Sequence, residues 1–268
     1  MKRRFALLLL PALLIVAVAW QLNDPPPAAQ KNSFAIGEKL IYRVHYGFME
    51  GGEAVIAVSD KVHEVNQRPC YKIEVQGRTT GAVRVFYKVR DVWGSYVDTS
   101  VFMPHRAYRK IQENNYRKDE VTYFDQAAGE ARVVDEDRNQ EKVMKTPRRA
   151  LDLVSGAFYL RTLNYDRMRR GDTVRVQGVF EDKLYDMSIR YLGRERIKTR
   201  FGQVKTVHLQ PILPDNSLFD GENAIDIYVT DDDNKVPVKI RANMVVGAVE
   251  IDLKDFNGLK HASIMEQD

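Results

Sequence analysis

The sequence is poor in cysteine, and this scarcity limits its covalent structure. Cys70 is the only cysteine among 268 residues, so the chain cannot form an internal disulfide. It begins a predicted strand, on which Tyr71, Ile73 and Val75 occupy the opposite face. We interpret Cys70 as a small structural side chain, because a reactive thiol needs both solvent access and a lowered pKa.

The residue spacings that mark common active sites are also missing. None of the five histidines lies two or four positions from another, so the sequence has no zinc-binding signature. Ser155 does not sit in a G-x-S-x-G nucleophile elbow, and no glycine-rich phosphate loop occurs. We therefore predict no catalytic residue, no cofactor and no metal ion.

Charge of one sign is not concentrated anywhere in the chain. The 41 Lys and Arg residues nearly balance the 37 Asp and Glu residues, which leaves a net charge of +4. Because the two signs are interleaved, we interpret them as solvated strand faces and predict no nucleic-acid partner. Glu38 and Glu53 flank the first predicted hairpin, and we expect them to pair with Lys or Arg on neighbouring strands.

Single polar residues that could carry chemistry also have structural interpretations. We expect His45 to be an exposed strand residue and His208 to be a satisfied residue of the sheet. The acidic run at residues 231–234 resembles a calcium loop only superficially, since the sixth and twelfth positions hold Val236 and Ala242. We predict a hairpin turn there, because Asp and Asn bond their own backbone in turns.

The N-terminal residues have the pattern of a secretory signal. Residues 1–4 are basic after the initial Met, and residues 5–20 are apolar and uncharged. Residues 17–19 have small side chains at the first and third positions, as at a cleavage site. We predict a signal peptide at residues 1–20, with an uncleaved anchor as the alternative. A Pro-rich linker follows at residues 21–33. The predicted location is the periplasm or cell envelope of a bacterium, with membrane contact only through an uncleaved N-terminal segment.

Short runs of alternating apolar and polar residues fill the rest of the chain. Within residues 39–46, Leu40, Tyr42 and Val44 share one face, which is typical of a strand with one buried face. We place the first hairpin turn at residues 50–53, where Gly-Gly accepts positive φ. Roughly a dozen such strands predict an all-β, mainly antiparallel fold, with a meandering curved sheet that forms a barrel or half-barrel.

Two segments interrupt this strand pattern. Residues 83–97 fit either one strand or a short helical turn followed by a strand. Near residues 150–163, Leu151, Val154 and Phe158 recur at helical spacing. Either Asp152 with Ser155, or Thr146 before Pro147, could cap the helix. We predict that this helix packs on the sheet or plugs its end. The single β-rich domain then spans residues 34–258, followed by a C-terminal tail at residues 259–268.

Several stretches, in this order along the chain, resemble the bacterial envelope family called domain of unknown function 3108. They are F-x-x-G-E-x-L-x-Y-x-V-x-Y at 34–46, G-G-E-A at 51–54, F-Y-K-V-R-D at 86–91, D-L-V-S-G-A-F-Y-L-R at 152–161, and residues 231–238 followed by V-G at 246–247. The resemblance implies an exported, mostly β protein and supplies no catalytic residues. The chain also has a looser likeness of shape to half-barrel carriers of lipoproteins.

The sequence favours a binding protein over an enzyme. We predict an exported envelope protein, without catalytic activity, that binds a lipid, an acyl chain or an envelope protein partner. The alternatives are an assembly factor acting through sheet edges and an exported hydrolase of glycan or peptide. Six aromatic residues are the candidate ligand contacts, with plain core residues as the alternative interpretation: Tyr42, Tyr46, Phe86, Tyr87, Phe158 and Tyr159.

Overall fold

The structure is a computed structural model that describes residues 32–47, 49–213 and 221–265. The predicted signal segment and most of the linker lie outside the described residues. The strands are β1 Lys39–Tyr46, β2 Met49–Val58, β3 His63–Val65, β4 Arg68–Thr79, β5 Arg90–Asp98, β6 Pro104–Glu113, β7 Tyr116–Asp125, β8 Glu130–Asp135, β9 Gln140–Lys145, β10 Thr173–Phe180, β11 Lys183–Thr199, β12 Gly202–Ile212, β13 Ile225–Thr230, β14 Pro237–Asn243 and β15 Ala248–Asn257. The helices are α1 Val83–Phe86 and α2 Leu153–Leu160, with a 3-10 turn at Tyr165–Arg167.

These strands form one antiparallel sheet that nearly follows the order of the chain. Its order is β10-β11-β12-β13-β14-β15-β1-β2-β4-β5-β6-β7-β8-β9, with the short β3 beside β4. The first strand therefore lies in the interior of the sheet, between β2 and β15. The two edges, β9 and β10, do not pair with each other within the described residues. This curved, unclosed sheet confirms the predicted fold class.

Helix α2 lies beside the β10 edge. Asp152 accepts hydrogen bonds from the backbone N–H groups of Val154 and Ser155, and the Ser155 hydroxyl accepts one from the N–H of Asp152. This reciprocal capping satisfies N–H groups that a helix start leaves unpaired. Just before the helix, Leu151 bridges to Gly178 of β10 in parallel. The predicted helix near residues 150–163 and its predicted cap are confirmed.

The inward faces of the strands supply the core. Leu40, Tyr42 and Val44 of β1 are buried, as the alternation predicts. They belong to one continuous cluster that reaches α2 and most strands of the sheet. A smaller cluster around Phe124 and Val133 lies under β6 to β8. Each fully buried aliphatic or aromatic side chain contributes about 1.5–3 kcal/mol to folding, so these clusters hold the curved sheet together.

The turn of the first hairpin differs from the prediction. The chain reverses at Gly47, which has a φ of 56°, and not at residues 50–53. Gly51 and Gly52 lie inside β2. A Cβ atom on Gly52 would lie 3.0 Å from the carbonyl oxygen of Arg78 on β4, so this glycine permits close strand packing rather than a turn.

The segment at residues 83–97 follows the second of its two predicted patterns, since the four-residue α1 precedes β5. The residues predicted as a C-terminal tail pack on the sheet as far as they are described. Asn234 donates hydrogen bonds to the carbonyls of His261 and Ala262, and Met265 is buried.

Candidate functional site

One end of the sheet, where β1 and β14 finish and β2 begins, differs from the rest. We call it the α1 end, because α1 follows the last residue of β4 there. Toward this end, the inward-facing positions of β5 to β8 change from apolar to charged. Asp91, Arg109, Glu120 and Asp135 are all buried there. Buried charges require partners, and these four residues give the α1 end a charged interior.

Arg109 organises this polar interior. Its guanidinium donates to both carboxylate oxygens of Glu120, at 2.8 and 3.1 Å, and lies 3.1 Å from a carboxylate oxygen of Glu181. The same group stacks 5.6 Å from the Trp93 ring and 5.1 Å from the Phe180 ring. Arginine in such a setting is a paired, positioned cation, so it is not available as a free binding group.

Two carboxyl groups at the α1 end hold protons unusually well. Burial raises the pKa of Asp91 to about 6. Burial, together with the nearby Asp91 charge, raises the pKa of Glu113 to about 7. The Tyr87 hydroxyl donates to Glu113 at 3.1 Å, and the N–H of Gln112 donates to Asp91 at 2.9 Å. This pair can bind and release protons near neutral pH.

Exposed apolar side chains surround the α1 end. Phe86 is 84% and Val246 is 76% exposed, and Met49, Val85 and Val245 are also exposed. We call these five residues the apolar rim. A patch of this kind on a water-exposed surface marks a site of interaction with apolar material.

Contacts between the supporting elements bring the rim residues to one place. The Tyr46 hydroxyl at the end of β1 donates to the carbonyl of Val246 in the β14–β15 turn. A Cβ atom on Gly51 of β2 would lie 3.3 Å from Cγ2 of Val83 in α1. The β14–β15 turn, the β1–β2 hairpin and α1 are therefore neighbours.

Three of the six predicted contact residues lie in or against the core. The Tyr42 hydroxyl donates to the carbonyl of Pro237 at 3.0 Å, and its burial raises the pKa of Tyr42. Phe158 packs edge-on against Phe34, with 4.9 Å between ring centroids. Tyr159 is half-buried beside the main cluster. These three have the placement of core residues, the alternative given to them from the sequence.

The other three lie at the α1 end. Phe86 is part of the apolar rim, Tyr46 supports it, and Tyr87 contacts the Glu113 carboxyl. The six predicted contacts therefore do not line one surface. Sequence reasoning missed Met49, Val85, Val245 and Val246, and the run Val245-Val246 beside Gly247 was the available signal.

His45 lies in a group that could resemble a metal site. Its Nε2 atom is 2.7 Å from Oδ2 of Asp252 and 3.9 Å from Oε2 of Glu250. The Lys239 ammonium already lies 2.6 Å from Glu250 and 3.3 Å from Asp252. Since lysine supplies the positive charge that these carboxylates need, the group functions as an ion-pair network on the outer face.

Ser155 and His208 are of residue types that are common in active sites, but both are engaged in structural interactions. The Ser155 hydroxyl is bound by the carboxylate of Asp152 at 2.7 Å within the helix cap. His208 lies between Asp226 at 2.8 Å and Glu195 at 2.9 Å and stacks on the ring of Tyr228. His208 is therefore a satisfied sheet residue, as predicted.

A solved structure shows the same fold in a distant protein. The chain is similar to a β-barrel-like protein of the domain of unknown function DUF1849 from Brucella abortus, at 10% identity and a TM-score of 0.55, covering 84% of this chain and 98% of that chain. It also matches a hypothetical protein from Chlamydia trachomatis at 8% identity and a TM-score of 0.39, covering 86% and 90% of the two chains. At such identity the first likeness shows the fold alone. No curated protein matches the sequence.

The family itself is shown by a direct match of sequence. Residues 41–254 match the model of DUF3108, described as a protein of unknown function. The match runs from β1 into β15 and includes the helix and most of the stretches that carried the resemblance. The chain therefore belongs to the DUF3108 family.

Proposed function

We propose that this protein is an exported, non-catalytic protein of the bacterial envelope that binds lipid through the apolar rim. The observation that carries the proposal is the exposure of Met49, Val85, Phe86, Val245 and Val246 at one end of the sheet. Inserting one such side chain into an apolar phase contributes about 1.5–3 kcal/mol. Several inserted together suffice for reversible attachment to a lipid surface.

The interior favours this surface over a lipid held among the predicted inner aromatics. Tyr42 and Phe158 are buried within a continuous cluster of side chains, so their rings are already in contact with protein. Among the described residues, none covers the rim residues in this way. From the sequence we predicted membrane contact only through the N-terminal segment. Lipid contact at the rim would be a second point of contact.

Within the described residues, no helix is both long and apolar enough to cross a bilayer. Export rests on the predicted signal segment at residues 1–20, and sequencing the N-terminus of the protein isolated from its envelope tests it. A mature chain beginning after residue 19 supports a cleaved signal, and an intact residue 1 indicates an anchor.

A thiol-directed dye tests lipid contact at the rim in the full chain. Cys70 is buried, so a cysteine introduced by Phe86→Cys or Val246→Cys is the accessible labelling site. We expect the emission of a polarity-sensitive dye at either position to shift to the blue with phospholipid vesicles. The matched control is Val62→Cys, at a residue that is 49% exposed near the opposite end of the sheet. Unshifted emission at both rim positions would refute lipid binding by the rim.

The β9 edge supports a second candidate, an assembly factor that pairs with a partner strand. Five of its six residues are exposed, and Val143 offers an apolar side chain. Its charged residues Glu141, Lys142 and Lys145 are the kind that protect edges from pairing, so this function ranks second. Cross-linking from Val143→Cys in the native envelope would identify a strand partner.

A further inference from the structure

We infer that the rim docks on an anionic phospholipid surface, because a ribbon of exposed cations borders it. This inference rests on the proposed lipid binding and names the chemistry of the lipid. The basic ribbon consists of Arg78, Arg84, Lys88 and Arg90, all exposed. Phosphate groups of acidic lipids are the complementary charges.

The ribbon lies in a stretch without acidic residues. Residues 77–90 contain these four cations and no Asp or Glu. The buried Val89 separates Lys88 from Arg90. Because side chains alternate along an extended chain, Lys88 and Arg90 both point away from the core and toward solvent.

The pairing of β4 with β5 places two cations directly opposite each other. Arg78 is the cross-strand partner of Arg90, and like charges in such positions are destabilising. Arg78 has a carboxylate partner, Glu53, at 2.7 Å, which it shares with Lys254 at 3.3 Å. Arg90 has no carboxylate partner among the described residues. An anion beside this pair would relieve the repulsion.

The same helix connects the ribbon and the rim. Arg84 lies between Val83 and Val85 in α1, and Lys88 follows two residues after Phe86. Arg84 and Lys88 also lack an acidic partner in the part of the chain that the structure describes. Apolar side chains that enter the acyl region, beside cations at headgroup level, form the usual pattern of interfacial attachment.

The preference for acidic over neutral vesicles is expected to be large. One Lys or Arg near an anionic membrane surface strengthens binding by about fivefold. Arg84, Lys88 and Arg90 together would then give a preference on the order of a hundredfold for acidic over neutral vesicles at low salt. Since the Debye length falls to about 3 Å at 1 M salt, the preference should disappear there.

Full-length protein carrying the dye at Val246→Cys is titrated with two kinds of vesicle while the emission of the dye is recorded. One kind is pure phosphatidylcholine and the other is an equal mixture of phosphatidylcholine and phosphatidylglycerol. We expect tighter binding to the mixture, loss of the difference in high salt, and a roughly hundredfold loss in R84Q/K88Q/R90Q. Binding of that variant to pure phosphatidylcholine should be unchanged.

A matched variant controls for net charge and for folding. R196Q/K198Q/K205Q also removes three exposed cations, two of which, Arg196 and Lys205, face each other across β11 and β12. These residues lie near the opposite end of the sheet, so their removal should leave vesicle binding close to wild type. Urea denaturation of both triple variants verifies that each is folded.

The outcomes separate the inference from the function on which it rests. Equal binding to both vesicles, without dependence on salt, overturns the anionic preference and leaves lipid binding intact. No dye response to either vesicle overturns both. If polyaspartate moves the emission while acidic vesicles do not, the partner is an acidic polypeptide and the inference is wrong.

Discussion

Arg161 and Glu38 form a buried ion pair that joins helix α2 to the start of β1. Arg161 is 2% and Glu38 is 1% exposed, and the guanidinium meets both carboxylate oxygens, with Nη2 at 2.9 Å from Oε2. The same guanidinium donates to the backbone carbonyls of Ser33 and Asn234. Three stretches that carry the family resemblance therefore meet at one arginine.

Breaking this pair should destabilise the fold strongly. In Arg161→Met the Glu38 carboxylate would remain buried without a cation, which typically costs about 3–5 kcal/mol. Urea denaturation followed by circular dichroism measures the free energy of unfolding. Adding Glu38→Gln to Arg161→Met should recover part of the loss, since the uncompensated charge is then removed.

An exposed pair provides the comparison. Arg132 lies 3.1 Å from Glu141 on the outer face of β8 and β9, where solvent screens the charges. Arg132→Met should cost only about 0–1 kcal/mol. Similar losses in the two variants would contradict the importance given to burial of the Arg161–Glu38 pair.

The cap of α2 gives a second stability prediction. Asp152 accepts from two backbone N–H groups and from the hydroxyls of Ser95 and Ser155. Asp152→Ala should lower the free energy of unfolding by about 0.5–2 kcal/mol through the lost cap, with a further loss from the unpaired serines. Asp152→Asn keeps a capping oxygen and should lose less. An Asn variant as unstable as the Ala variant would contradict the capping role.

Two glycines should respond to alanine in opposite directions. A methyl group at Gly94 would lie 2.2 Å from Cζ of Tyr108, whose ring covers that glycine from β6. Gly94→Ala must displace the ring and should destabilise. A methyl group at Gly156 would meet Val176 at an ordinary 4.0 Å, so Gly156→Ala should stabilise α2 by about 0.5–1 kcal/mol. Thermal denaturation of both variants shows whether the melting temperature falls for Gly94→Ala and rises for Gly156→Ala.

The carboxyl pair at the α1 end makes stability depend on pH near neutrality. The pKa values of Asp91 and Glu113, about 6 and about 7, lie above the unfolded values of about 4. Between about pH 4 and 7 the folded chain therefore holds more protons than the unfolded chain. The contribution of this pair to stability falls as the pH rises through that window and is constant above it.

Glu113→Gln isolates this effect. Glutamine stays neutral and can still accept from the Tyr87 hydroxyl, so the variant should lose less stability than wild type between pH 5 and 8. The exposed Glu136→Gln serves as the control and should retain the wild-type slope. An unchanged slope in Glu113→Gln would show that the pKa of Glu113 is not raised in the folded state.

Local patterns in the sequence predict the strands and the helix well. Alternation places Leu40, Tyr42 and Val44 inward, and the Asp152–Ser155 spacing predicts the cap, because both depend on residues close in the chain. Glu53 pairs with Arg78 on the neighbouring β4, as expected, and also with Lys254 on β15, two strands away. The partner of Glu38 is different, since Arg161 lies on a helix and no local signal connects the two.

The charged interior was predictable only in part. Arg109 and Glu120 are equally distant from the tight β6–β7 turn, so hairpin register alone would place them opposite each other. Whether they face inward depends on the curvature of the whole sheet. The apolar rim depends on it as well, because the β14–β15 turn and α1 are distant in sequence and meet only through β1 and β2.

The position of β1 between β2 and β15 has a consequence for how the chain acquires its shape. Strand β1 cannot pair with β15 until residues about two hundred positions apart in the sequence come together. Contacts of such long range slow folding. A chain emerging in order from its N-terminus would therefore expose an unpaired edge of β1 until β15 arrives. Such an edge attracts foreign strands, so a chaperone that shields the edge of β1 during synthesis would protect this chain from mispairing.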